Sequence, residues 1–255
     1  MTKIKKINNK KLYDENWADW VDMKVYGPAS RWLRVLIRDI FLNVDKKQIK
    51  SVLDVGCGEG TVTYEIARML PKAVVTGIDF SRTGVKLAHD RYKLPNLNFK
   101  HDLKSNLLDR NHDLVTSFEV LEHVEEWKKL LIRITRSSNK YVLLSFPTGR
   151  MRSFEKNVGH LRNFRKDQVE NFMLSKGFKP ITIYYAGFPF FSPIYREFCN
   201  LTNASNNSFT NGINYSLGQK LISAVLFLMF SALSTKYKYG DQFCGLFKRN
   251  SEIVN

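Results

Sequence analysis

The chain has 255 residues, 44% hydrophobic and 25% charged, and 40 Lys and Arg against 24 Asp and Glu leave a net charge of +16 at pH 7. That length and apolar fraction exclude a small disulfide scaffold and a largely disordered chain, and leave room for one large domain or two small ones. Cys57, Cys199 and Cys244 form no CxxC pair, so neither a disulfide framework nor a cysteine zinc site is predicted and a reducing, cytoplasmic setting is expected. The N-terminal stretch 1–11 is basic and polar with no apolar run behind it, which argues against a secretory leader. The positive charge implies an anionic partner: nucleic acid, an acidic membrane surface or a phosphorylated substrate.

Along the chain, Tyr26-Gly27-Pro28 opens a predicted helix over 31–41, and the apolar run 51–55 reads as a strand that ends in glycines. Val62, Ile66, Met69 and Leu70 recur at helical spacing over 61–70, and 73–79 has a second buried-strand pattern. Ser81 is a natural N-cap for a helix over 83–92. Strands are then expected over 98–103, 113–118 and 140–146, with an amphipathic helix over 125–136 before the last of them. Strands alternating with helices of about 10–15 residues predict a parallel sheet covered on both faces. A helix over 165–175 stops at Gly177, a strand follows over 180–185, and 241–249 is the last strand. Between these two strands, 187–239 is too long for an ordinary connection and reads as an insertion rich in aromatic and apolar residues.

The segment 52–60, VLDVGCGEG, places Asp54, Gly56, Gly58 and Gly60 between a strand and a helix. Glycines there allow a tight turn and a close ligand approach, and the helix start offers free N–H groups. Asp79 ends the next strand, where a carboxylate can accept from both ribose hydroxyls of an adenosine ligand. No GK[ST] follows, which disfavours a phosphate-binding loop, and Asp54 and Glu59 would repel a pyrophosphate. A cationic ligand suits the loop better.

On these residues the chain resembles the class I S-adenosylmethionine-dependent methyltransferases, in particular the branch acting on ubiquinone precursors, sugars and other small molecules. VLDVGCGEG looks like their first motif, GIDFS (77–81) their second, HDL (101–103) their adenine-side motif and DLVTSFEVLEHV (113–124) their fourth-strand motif. The resemblance spans roughly 51–178 and the final strand. It implies a Rossmann-like, doubly wound, seven-stranded and mostly parallel sheet with an antiparallel last strand, and a helical insertion before that strand. The domain organisation follows as lid helices and a basic tail over 1–50, a core over 51–186 and 240–250, and an insertion over 187–239. It further implies that Gly56 and Gly58 pass the backbone close to the methionine part of S-adenosylmethionine, that Asp79 binds the ribose, that Phe80 packs the adenine ring, and that Asp54, Cys57, Gly60 and Ser81 belong to the same cofactor-binding set. Asp102 and Leu103 would take the adenine, Phe118 and Glu119 would wall the cofactor, and Arg31 would pair with its carboxylate.

Methyl transfer needs a nucleophile held in line, helped by a base where that nucleophile is a hydroxyl. His123 and His160 follow the fourth and fifth strands and are the candidate bases. Glu119 and Glu122 beside one histidine read as solvation or capping, so no metal is expected. In the insertion, 221–233 is an uncharged apolar run of 13 residues, too short for the roughly 20 of a membrane span. A buried core helix, an interfacial membrane helix and a dimer contact compete for it, and the aromatic residues around it favour contact with lipid or a hydrophobic substrate. The expected acceptor is a small molecule, sugar or lipid-linked glycan of the kind used in polysaccharide biosynthesis. RNA is disfavoured because no NPPY-like tetrad stands at SFEV and the basic residues are scattered. A non-catalytic cofactor-binding subunit is a second alternative, and oligomeric state is not encoded in any motif.

Overall fold

A computed structural model describes residues 9–102, 106–202 and 214–250. Two helices, α1 (Asn9–Tyr26) and α2 (Pro28–Ile40), precede the sheet. Then β1 (Ser51–Val55), α3 (Thr61–Met69), β2 (Val74–Asp79), α4 (Arg82–Arg91), β3 (Leu97–His101), β4 (His112–Phe118), α5 (Trp127–Ser137) and β5 (Ser138–Pro147) alternate as the sequence pattern predicts. After a short α6 (Ser153–Asn157) come α7 (Gln168–Ser175), β6 (Phe178–Ala186), α8 (Arg196–Leu201), α9 (Leu217–Leu233) and β7 (Gln242–Arg249).

The seven strands are ordered β3-β2-β1-β4-β5-β7-β6. The first five pair in parallel, and β7 runs antiparallel between β5 and β6. Apolar residues are buried on both faces. On one face Leu36, Ile37 and Ile40 of α2 and Ile66 of α3 pack with Val52 and Val75. On the other, Leu131 and Ile134 of α5 and Val169 and Met173 of α7 pack with Leu53, Val115 and Val142. Local signals set the helix ends: Pro28 opens α2, and Ser81 caps α4 by accepting from the Gly84 N–H at 3.1 Å. Gly177 (φ +77°) closes α7 with its N–H on the Leu174 carbonyl at 3.0 Å.

The insertion is not a free appendage. Phe191 and the fully buried Phe230 of α9 belong to the same core cluster as α2. The opposite side of α9 is exposed.

Candidate functional site

The strand order reverses between β1 and β4, and a cavity of about 1140 Å³ lies there, over the carboxyl ends of β1, β2 and β4. Its floor is the glycine bend. The N–H groups of Gly56 and Cys57 both donate to the Ile78 carbonyl, at 2.8 and 3.0 Å. Gly56 has φ +80°, and a Cβ there would stand 2.3 Å from Val120. Val120 already fills that space, so only glycine fits this turn of the bend.

Asp54, Gly56, Cys57, Asp79, Phe80, Asp102, Phe118 and Glu119 line the cavity. Asp54 accepts from Thr63 at 2.6 Å and from Thr116 at 2.7 Å, and complete burial raises its pKa to about 6. Its role in the bend is to brace it. Asp79 accepts from the Gly58 N–H at 2.9 Å and from the Ser81 N–H at 2.7 Å. A carboxylate has about four acceptor sites, so Asp79 retains capacity toward the cavity. Burial, chiefly, raises its pKa. The Cys57 thiol is pushed well up by burial and by the neighbouring carboxylates, so it is no nucleophile. Glu119 has φ +54° and accepts from Ser145 at 2.8 Å and Gln242 at 2.9 Å.

Gly58, Gly60, Ser81 and Arg31 are not in the wall. Gly58 lies under Trp17 of α1, where a Cβ would come within 2.3 Å of the indole, and Gly60 opens α3. Ser81 donates to Asp14 of α1 at 2.6 Å, which ties that helix down over the bend. The Arg31 guanidinium stacks over Phe227 of α9 at 4.1 Å. Arg34, one turn on, does reach the wall, but it donates to the Lys24 and Val25 carbonyls at 2.6 Å each and pairs with Glu65 at 3.1 Å. Leu103 lies outside the described residues.

Both candidate bases line the cavity, their rings T-shaped with centroids 4.6 Å apart. The Tyr13 hydroxyl of α1 sits 2.8 Å from His123 Nε2. Burial and the neighbouring His160 lower the His123 pKa to about 3. His160 Nδ1 faces Asn163 Oδ1 at 3.4 Å. The Asn163 amide nitrogen donates to the Arg150 carbonyl at 3.2 Å and to Glu155 at 3.1 Å, so its oxygen must be the end turned to the ring. This orientation puts the His160 proton on Nδ1 and leaves Nε2 as the basic atom. Burial lowers the His160 pKa to about 4.

Glu122 is fully buried, and neither carboxyl oxygen has a hydrogen-bond partner among the described residues. Burial and nearby Glu119 push its pKa well up. Glu122, His123 and His160 each bring a donor atom within 4.8 Å of the others, a juxtaposition that the expectation of no metal did not foresee. Sequence reasoning also missed Tyr13, Trp17 and Trp20, although their spacing on one helical stripe was a usable signal. It missed Asn163, and it missed Arg196, which lines the cavity and forms a buried ion pair with Glu155.

Residues 52–140 match the family model for a methyltransferase domain. The fold is similar to that of magnesium protoporphyrin IX methyltransferase from Synechocystis PCC 6803 with bound S-adenosylmethionine, at a TM-score of 0.58 and 13% identity over 96% of this chain and 98% of that one. By the family-model match, residues 52–140 carry a methyltransferase domain. Among curated relatives, the methyltransferase is 23% identical over 135 residues to malonyl-[acyl-carrier protein] O-methyltransferase of Bacillus cytotoxicus, covering 51% of this chain and 47% of that protein. It is 34% identical over 102 residues to the mitochondrial ubiquinone biosynthesis O-methyltransferase of Saccharomyces cerevisiae, covering 38% and 33%. The chain thus spans less than half the length of these relatives.

The cavity fits S-adenosylmethionine, the ligand bound in that Synechocystis structure. The carboxylate of Asp79, with acceptor capacity left toward the cavity, suits a nucleoside with a cationic centre.

Proposed function

We propose that this methyltransferase acts on a hydroxyl oxygen of a small-molecule, sugar or lipid-linked glycan acceptor, working as a peripheral enzyme at the inner face of a membrane. In this reading Asp79 accepts from the ribose hydroxyls, Phe80 and Asp102 border the adenine, and Gly56 with Cys57 passes beneath the methionine part. S-adenosylmethionine, when bound, supplies an activated methyl group. The observation that carries the reading is that His160, its Nδ1 fixed by Asn163, borders the same cavity as Asp79.

A hydroxyl becomes a competent nucleophile as its proton leaves. His160 Nε2 takes that proton and holds it as an imidazolium until solvent removes it. The aromatic residues of α1, with Trp17 and Trp20 buried, exclude water from the cofactor end. His123, bonded to Tyr13, orders the wall beside the base.

The test is a radiolabelled methyl-transfer screen across glycan, lipid, quinone and RNA fractions. Label in a hydroxyl-bearing glycan, lipid or quinone supports the reading, label in RNA alone overturns the acceptor class, and label in none of them, with S-adenosylmethionine still bound, favours a non-catalytic subunit. The base role expects activity to survive EDTA. Activity lost to the chelator and restored by Mn²⁺ would put a cation on Glu122, His123 and His160 instead.

A further inference from the structure

The cavity and the exposed side of the insertion share residues. Among the described residues, those that both line the cavity and are exposed are Ala29, Asn157, Phe198 and Ile222. Phe198, on α8, is 61% exposed and Ile222, on α9, 49%. Around them the apolar surface continues through Leu201, Leu217, Leu221, Val225 and Leu228, all exposed. Positions 217, 221, 225 and 228 follow helical spacing, so they form one stripe on the side of α9 away from the buried Phe230. The rim of the cavity is therefore part of an apolar face.

The charge along α9 and its flanking segments has one sign. From 198 to 240 the sequence contains no acidic residue, and its charged residues are Lys220, Lys236 and Lys238. Lys236 pairs with Asp39 at 3.1 Å, while Lys238 is exposed. No helix among the described residues is long and apolar enough to cross a membrane. At 17 residues α9 is about 25 Å long, and its inner side is committed to the core. A stripe of leucines on a committed helix, flanked by Lys220 and Lys238 and with the nearby Glu197 of α8 paired to Arg150 and Arg152, is the surface of a helix lying in an anionic interface.

The cavity itself is roomier and less polar than the cofactor needs. Beyond the glycine bend it is walled by Phe191, Tyr195, Phe198, Ile222 and Leu226, and its 1140 Å³ exceeds the roughly 300–1,000 Å³ of ordinary ligand pockets.

We infer that the exposed apolar face formed by α9 and by Phe198 and Leu201 of α8 seats on an anionic lipid bilayer, and that the rim between Phe198 and Ile222 is the door through which an amphiphilic acceptor presents its head group to His160 while its apolar chain stays in the bilayer. The inference rests on the methyltransferase reading above and names the acceptor class within it. An acceptor of this class never crosses bulk water, which is why the entrance is apolar on a chain otherwise strongly basic.

The experiment uses the full chain with vesicles of phosphatidylcholine and phosphatidylglycerol at about 3:1 and low salt. Wild-type protein is expected to co-float, and Leu221→Glu/Leu228→Glu to lose at least about tenfold in vesicle affinity while its calorimetric S-adenosylmethionine affinity is unchanged. Tryptophan placed at the rim, Ile222→Trp, is expected to be quenched by brominated-chain lipid. Leu174→Trp on α7, on the other side of the sheet, is not. Wild-type protein that fails to float, a double variant that floats as well as wild type, or equal quenching at the two tryptophans would overturn the inference. So would a dimer in solution that the glutamates break without any vesicle binding, since the face would then belong to a second copy. Failure of the methyltransferase reading is separate: it appears as no heat with S-adenosylmethionine, whatever the vesicles do.

Discussion

Asp79 has two partners in the protein and room for more, and that arithmetic makes its effect measurable. Removing a charged acceptor typically costs about 1.5–3 kcal/mol per hydrogen bond, so Asp79→Ala should weaken S-adenosylmethionine binding roughly 10- to 100-fold by calorimetry. An unchanged affinity would remove the residue from the cofactor site. His160 carries the pH dependence. Its folded pKa is lowered to about 4, so the ring is already neutral at pH 6 and gains its inhibiting proton only well below that. The profile of kcat/KM should therefore stay level from neutrality down to about pH 5 and fall toward pH 4, rather than breaking near the unperturbed 6.5. A break at 6.5 would mean another group accepts the proton. His160→Gln is expected to lower kcat by about 10²–10⁴ with little change in cofactor affinity. His123→Asn should cost less, because the Tyr13 hydroxyl at 2.8 Å already occupies its Nε2. The sequence put these two histidines on equal terms. What separates them is Asn163 and Tyr13, neither of which is marked by any motif.

Among the elements, α9 shows how an apolar run hides two functions. Read linearly, 221–233 is a uniform hydrophobic block. Wound as a helix, it sends Phe230 into the core beside Phe191 and Tyr195, with centroids 5.1 and 4.9 Å away, and sends Leu228 outward at 63% exposure. Phe230→Ala should cost about 3–5 kcal/mol in a denaturant titration, and Leu228→Ala should fall within about 0.5 kcal/mol of wild type. Equal effects would mean that the two sides of α9 are not distinct in solution. The helix α1 was legible only in part. Tyr13, Trp17, Trp20 and Val21 follow helical spacing, but α1 has Lys10, Lys11 and Lys24 at its ends and reads easily as a basic tail.

For the whole molecule, the net charge of +16 acts at long range and the apolar face acts on contact. The two contributions separate by salt, because the Debye length falls from about 10 Å at 0.1 M to about 3 Å at 1 M. Vesicle affinity should drop several-fold between low and high salt and then level off at the contribution of the buried leucines. A complete loss would mean that charge alone holds the protein there. The fold that supports this arrangement was largely readable in advance. All seven strands stand within a few residues of the expected ranges, because each carries its own apolar run and its own turn chemistry.

The alternation of strand and helix, the glycine bend and the carboxylate ending β2 were determined by the sequence itself, since periodicity, φ preference and capping act over a few neighbouring residues. Contacts between distant residues were decided by the tertiary structure alone. Tyr13 meets His123 across 110 positions, and Arg31, expected at the cofactor, turns instead to Phe227 of the insertion. Which nitrogen of His160 is basic depends on Asn163, and whether the cavity meets the apolar face depends on where α8 and α9 settle. Such pairings follow from how the helices pack on the finished sheet, and no local pattern encodes them.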